Sequence, residues 1–272
     1  MRLPTTDIGG LGVSRLVCGT NSFLGFSHIS NARDQWIRRV MSAERIAEVL
    51  ARAIECGVNA FLAPVSPKMI EAREIAQKAT GGRMYYIGTP SQGSDDEVRA
   101  RIDECADMGV ELCWLHTSVI EKRIKLQEQQ ITGLPGFLEH IRRKGMLPGF
   151  TTHRPEAIPL SDRQGYDVTG YATMLNAAGF MCTVEIEVLS RRVLPAAQRP
   201  VLIIKPFASG RLTPMTGMQY VCDNIREKDA VVAGVLSPEE IEEDVRLFME
   251  YAYGEGQVEL PAPTRSKAVF DK

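Results

Sequence analysis

What this chain of 272 residues lacks already removes several classes of protein. No apolar run approaches the roughly 20 residues of a membrane span, so no membrane partner is expected. The opening MRLPTTDIGG has no long apolar core of the signal-peptide kind, which makes the cytoplasm the expected location. Neither charge is in excess: 32 Lys and Arg face 34 Asp and Glu, for a net charge of −2. A nucleic-acid partner would favour a basic surplus and is not expected. The six cysteines contain no CxxC pair, so the usual metal-ligand spacing is missing. Most sit among apolar neighbours and read as small core residues, with Cys18 alone near a strand end. No GxGxxG follows the first strand candidate, which argues against an open doubly wound sheet.

What is present is alternation of strand and helix from end to end. Gly9, Gly10 and Gly12 suit the tight turns of an N-terminal hairpin closing a barrel floor. Buried strand patterns then fall at Arg15–Cys18, Val58–Leu62, Met84–Ile87, Val110–Leu115, Met146–Phe150, Val168–Leu175, Val201–Ile204 and Ala230–Ala233. Helices are predicted over Glu44–Cys56 (capped by Ser42), Pro67–Thr80, Ser94–Met108, Thr183–Leu194 (interrupted at Pro195), Thr213–Arg226 and Pro238–Tyr251. Helical segments also run from His116 to Lys144, and a short helix opens at Pro155. Gly19–Met41 reads as a long polar loop. Eight such units with right-handed crossovers close into a (β/α)8 TIM barrel, α/β in class, forming one domain over 1–272 with a tail at 254–272.

In such a barrel the strand C-termini share one mouth, where catalysis is done. LVCGTNSF, ELCWLH, GFTTH and LIIKPFASGR each place polar groups just after an apolar run. His116, His153 and Lys205 are therefore the candidate catalytic groups. Imidazoles exchange protons near neutral pH. A lysine ending the buried run VLII costs desolvation unless it serves a ligand or meets a core carboxylate, for which Glu111 or Asp229 are the candidates. Such an amine could pair with an anion, stabilise an enolate, act as a base or form a Schiff base. The Ser209–Gly210–Arg211 turn and the helix start at Ser237 form a candidate anion or phosphate site, as barrels often place phosphate after strands seven and eight. His140 lies among charges on a helix and reads as solvated. A metal on His116 and His153 would lack a third convincing ligand, so no metal is assigned.

DIGGLGVSRLVCGTNSF at the start and VVAGVLSPEEIEEDVRLF near the end resemble aldo-keto reductases, with ECGVNAF, ELCWLH and IRRKGMLPGFTTH between them in the family's order. The resemblance implies the (β/α)8 fold and, by ancestry, a nicotinamide cofactor. It also implies a Tyr proton donor supported by Asp, Lys and His. Here the Asp falls on Leu62, the Tyr near Pro67 and the Lys on Pro90. Only the His survives, as His116. The basic residue that grips the 2′-phosphate of NADPH falls near Glu240, whose carboxylate would repel it. GTNSFLGFSH, GFTTHRP, TMLNAAGF and IIKPFASGR resemble a divergent branch of the same superfamily and suggest Asn21, His28, Thr151 and Asn176 as substrate-binding residues. The cofactor is left unassigned, with NAD(P)H implied by ancestry alone. The expected function is proton transfer, of lyase or isomerase type, on a small polar, anionic carbonyl or hydroxyl compound. An NAD(P)H oxidoreductase with a rebuilt site and a non-catalytic ligand sensor are the alternatives.

Overall fold

The computed structural model describes residues 3–256, so the predicted tail beyond Gly256 lies outside the described residues. It forms a closed parallel barrel of eight strands in a layer of helices, as the alternation predicts. A hairpin comes first, β1 (Thr5–Ile8) pairing antiparallel with β2 (Leu11–Ser14). The barrel begins with β3 (Leu16–Gly19), β4 (Ala60–Ala63), β5 (Tyr85–Gly88) and β6 (Leu112–Leu115). A small antiparallel pair, β7 (Ile124–Lys125) and β8 (Gln130–Ile131), interrupts the series. The barrel then closes through β9 (Leu147–Thr152), β10 (Tyr171–Met174), β11 (Val201–Ile204) and β12 (Ala230–Gly234), which returns to β3.

Two shells of apolar side chains hold the barrel. The inner one joins Ile8 and Val13 of the hairpin to Val17, Ala60, Ile87, Leu112, Trp114, Ala172, Leu202 and Val232. The hairpin thus plugs the floor with its own apolar residues, as its glycine-rich turn leads one to expect. Trp114 crosses the barrel interior, fully buried. It fits because two neighbours are glycine: a Cβ on Gly149 would sit 2.6 Å from the indole Nε1, and one on Gly170 2.7 Å from Cη2.

Local chemistry sets the helix boundaries. Ser42, Ser66, Ser94 and Ser237 each accept a backbone N–H in the first turn of the helices Ala43–Glu55, Pro67–Thr80, Asp95–Asp107 and Pro238–Tyr253. Ser94 and Glu97 complete a reciprocal capping box. Three expectations are corrected. The supposed loop 19–41 contains helices Asn21–Leu24 and Asn31–Val40. The segment after His116 is a short helical turn followed by the β7–β8 hairpin, before the helix Leu134–Arg143. Pro195 does not break a straight helix: a π-turn over Leu189–Val193 widens the chain ahead of it, relieving the clash a proline makes with the preceding turn.

Candidate active site

Because all eight barrel strands run parallel, the residues that follow them share one rim. His116 follows β6 and caps the helical turn Thr117–Ile120. Its Nδ1 accepts the backbone N–H of Ser118 at 3.2 Å and lies 2.8 Å from the Ser118 hydroxyl. That hydroxyl oxygen itself accepts the N–H of Gln92 at 2.9 Å, so its proton is directed at Nδ1. A ring nitrogen facing two donors is unprotonated, and the neutral imidazole therefore carries its proton on Nε2. Burial, and then the nearby His153 and Lys205, hold the His116 pKa below its ordinary value, outweighing the opposite pull of Glu121. His116 is thus a neutral hydrogen-bond donor at neutral pH.

His153 follows β9 and is set the other way. Its backbone N–H donates to Glu121 Oε1 at 2.6 Å, and its Nδ1 lies 3.4 Å from the same oxygen. Burial pushes the Glu121 carboxyl upward, but the hydrogen bonds from the His153 side chain and backbone and the charges of His153 and Arg154 outweigh it. The group is held below the usual carboxylate range. An ionised carboxylate beside Nδ1 favours a proton on that nitrogen and orients the ring. Glu121 was not legible as a site residue, since nothing in the sequence ties it to a histidine 32 positions later.

Lys205 follows β11 with a left-handed backbone, φ +60°. Ile204 packs on the barrel interior, so strict strand alternation would send residue 205 outward. The positive φ ends the alternation, and Nζ reaches 3.4 Å from Nε2 of His28. Among the described residues no carboxylate lies within 4.0 Å of Nζ. Both imagined partners are taken elsewhere: Glu111 pairs with Arg73 and Arg83, and Asp229 with Arg226. Burial pulls the Lys205 amine down to about 8.

His28 is itself left-handed, φ +55°, and exposed. Burial of its ring, then the charges of Lys205, His153 and Arg211, lower its pKa against the opposing pull of Asp34. Its ring meets Phe180 edge to face, with centroids 6.1 Å apart. The Arg211 guanidinium lies 4.2 Å above the same phenyl ring and reaches the His28 carbonyl at 3.5 Å. Phe180, which the sequence did not single out, therefore joins the β10 side of the rim to the His28 loop. Thr20 and Ser22 donate to the carbonyls of Leu62 and Val235 and anchor the start of the covering segment 21–40 to two strand ends.

Other predicted residues have different duties. Asn176 is fully buried, and its amide clasps Phe180, accepting that residue's N–H at 2.8 Å and donating to its carbonyl at 3.1 Å. It braces the rim rather than reaching a ligand. Thr151 is buried in the wall and donates to the Leu115 carbonyl at 3.3 Å. Asn21 is exposed at the start of the first short helix. The anion cradle expected at Ser209–Gly210 is spent internally, because the N–H groups of Gly210 and Arg211 return to the carbonyls of Phe207 and Ala208. Ser237 caps its own helix, and the Glu240 carboxylate accepts the Leu236 N–H at 2.6 Å, occupying the donor end where an anion would sit. The Arg211 guanidinium bonds the Ala208 and His28 carbonyls and lies over Phe180. His140 is not solvated but bonds Asp103 at 2.8 Å. Burial pushes the Cys18 thiol up to about 12, so it is not a reactive group. Among the described residues, no cluster of three or more His, Cys, Asp or Glu side chains is placed to hold a metal, and no helix is long and apolar enough to cross a membrane.

All seven tyrosines lie within the described residues, and none takes the vacated donor position. Tyr86 and Tyr171 pack in the outer shell, bonded to the Pro64 carbonyl and Asp162 respectively. Tyr85 opens β5 at the floor end, and Tyr166 receives the N–H of Ile131. The remaining three sit on the helices Pro214–Cys222 and Pro238–Tyr253.

No family model matches the chain, and no curated protein matches it. Solved structures do. A protein from Pseudomonas aeruginosa described as an aldo-keto reductase superposes with a TM-score of 0.65 at 17% identity, covering 92% of this chain and 95% of that one. An aldo-keto reductase from Brucella melitensis gives 0.56 at 13% identity, over 90% and 93%. Ribulose-1,5-bisphosphate carboxylase/oxygenase from Pyrococcus horikoshii gives 0.52 at 16%, over 78% of this chain and 55% of that one. At such identities the likeness establishes the barrel fold, which aldo-keto reductases share with enzymes of other chemistry.

Proposed function

We propose that this barrel descends from the aldo-keto reductase stock and that its mouth binds a small anionic carbonyl compound, on which it performs proton transfer. The observation that carries the reading is that two imidazoles, one held by Ser118 and one by Glu121, and an amine with no carboxylate partner among the described residues all follow parallel barrel strands at one rim. His116, with its proton on Nε2, donates to the carbonyl oxygen as charge builds there. His153, backed by ionised Glu121, takes a proton from the neighbouring carbon. Lys205 and Arg211 hold the substrate's anion or the developing enolate, in a rim where no carboxylate among the described residues neutralises Lys205. Lyase and isomerase steps both need this set of acid, base and cation.

Ordinary carbonyl reduction is the less supported alternative. Leu62, Pro67 and Pro90 stand at the positions that would bear Asp, Tyr and Lys, and none of them moves a proton. The residues here do not fit the 2′-phosphate of NADPH, because Glu240 places a carboxylate at that helix start. Two measurements test the reading. Titration with NADH and NADPH, followed by thermal shift, is expected to show no saturable binding of either; saturation by one moves the chain to the redox class. The His116→Ala and Lys205→Ala variants are expected to lose turnover of small 2-oxo acids or sugar phosphates by roughly 100-fold or more. Unchanged turnover in both would remove the assignment.

A further inference from the structure

The geometry points to a covalent role: we propose that Lys205 forms an imine with the carbonyl carbon of its substrate, so that the barrel works through a protein-bound iminium. This rests on the anionic carbonyl reading above but goes beyond ion pairing.

Four observations support it. The backbone at Lys205 adopts φ +60°, a strained conformation for a residue with a Cβ, and that turn ends the strand alternation before Nζ reaches the rim. Nζ has no carboxylate within 4.0 Å among the described residues, so nothing there fixes it as a charged ammonium. Its neighbour at 3.4 Å is the His28 imidazole, which carries no negative charge to hold an ammonium. The side chain is half-buried rather than sealed, so a ligand can reach it. Desolvation, which pulls the amine to about 8, then leaves a large neutral fraction at slightly alkaline pH.

The step balances without oxidant or reductant. The Nζ lone pair attacks the carbonyl carbon and forms the C–N bond, while the C=O pair moves to oxygen, which the Nε2–H of His116 holds by a hydrogen bond and the solvent protonates. The Nζ proton passes to the solvent or to His153, giving a neutral carbinolamine. The hydroxyl, protonated in turn, leaves as water as the nitrogen lone pair forms C=N. One amine, one carbonyl and one proton yield one iminium and one water. The iminium then draws electrons from the adjacent carbon, which lowers the barrier for either α-proton removal or cleavage of the next C–C bond.

The test uses the whole protein at pH 8 with sodium cyanoborohydride and two probes, glyoxylate (an anionic aldehyde) and glycolaldehyde (an uncharged one). Intact mass and peptide mapping locate the reduced adducts. The expected result is glyoxylate adduct concentrated on Lys205, forming on the order of 10- to 100-fold faster than on exposed lysines such as Lys78, and absent in Lys205→Arg. Lys205→Met, checked for folding by circular dichroism, serves if the arginine variant is unfolded. Glyoxylate that binds saturably by calorimetry yet leaves Lys205 unmodified overturns the imine and leaves the anionic-carbonyl reading standing. Equal labelling of Lys205 by both aldehydes retains the imine and removes the preference for an anion. Adduct spread evenly over the exposed lysines overturns the proposal.

Discussion

The two ends of this barrel use charge in opposite ways. At the floor, carboxylates just ahead of the strands are matched by arginines. Asp229 is fully buried and accepts the Val201 N–H and the Arg226 guanidinium, at 2.8 Å and 2.6–2.8 Å. Asp167 meets Arg142 through two bonds of 2.8 Å. Glu111 joins Arg73 and Arg83 and also accepts the Tyr86 N–H. A hollow of about 350 Å³ opens there, lined by Asp7, Arg142, Asp167 and Arg199, beneath the hairpin plug. At the mouth, Lys205 and Arg211 have no carboxylate partner among the described residues, and the backbone holding them is left-handed at Lys205, Ala208, Ser209 and Gly210. Paired charges at one end lock strands together; at the other, Lys205 and the strained backbone are where the proposed ligand would act.

The strongest way to break this contrast is to remove one partner at each end. Asp229→Ala is expected to cost about 3–5 kcal/mol, since it removes the counter-charge of the half-buried Arg226 guanidinium and the acceptor of the Val201 and Arg226 N–H groups. Lys205→Met should leave stability unchanged or slightly raised, because it removes an unpaired amine. Urea unfolding of both variants checks this; equal losses would place Lys205 among the structural charges. A smaller effect, about 1–3 kcal/mol, is expected from Gly149→Ala, which drives a methyl into the Trp114 indole. Lys205→Gly should exceed Lys205→Ala in stability by roughly 1 kcal/mol, since only glycine takes φ +60° without strain.

The pH dependence sharpens the same comparison at lowest amplitude. An anion binds protonated Lys205 best, so its affinity should fall as pH rises through about 8, while imine trapping should rise over the same window. Calorimetry and mass spectrometry at pH 7 and 9 read the two opposite slopes. Slopes of the same sign would show that one amine does not serve both steps.

Much of the scaffold was legible because it obeys local rules. Pro67–Thr80 and Val201–Ile204 fall where capping and apolar patterning put them. The covering helix Asn31–Val40 was hidden because only Ile37 on it is buried, leaving no apolar stripe to read. Strands of two residues, as in β7 and β8, carry no period at all. At the mouth, the placement of His116, His153 and Lys205 just after buried strands was legible in the sequence. The tautomers were not, since they depend on Ser118, Gln92 and Glu121. Nor was the meeting of His28 with Lys205, which requires positive φ at two residues that have side chains. The clasp of Asn176 on Phe180 was hidden for a related reason: a buried amide at a strand end can brace a loop as readily as hold a ligand.

The plug formed by Trp114 has an optical consequence. The chain has two tryptophans, and they report on different parts of the molecule. Trp114 sits dry in the barrel axis with its Nε1 unbonded, while Trp36 rides the covering helix, 41% exposed beneath Arg33. A soluble quencher should silence only the second, and Trp36→Phe leaves an emission that follows unfolding alone. Any change in quenchable fluorescence on adding a ligand therefore reports movement of the cover, without an attached dye.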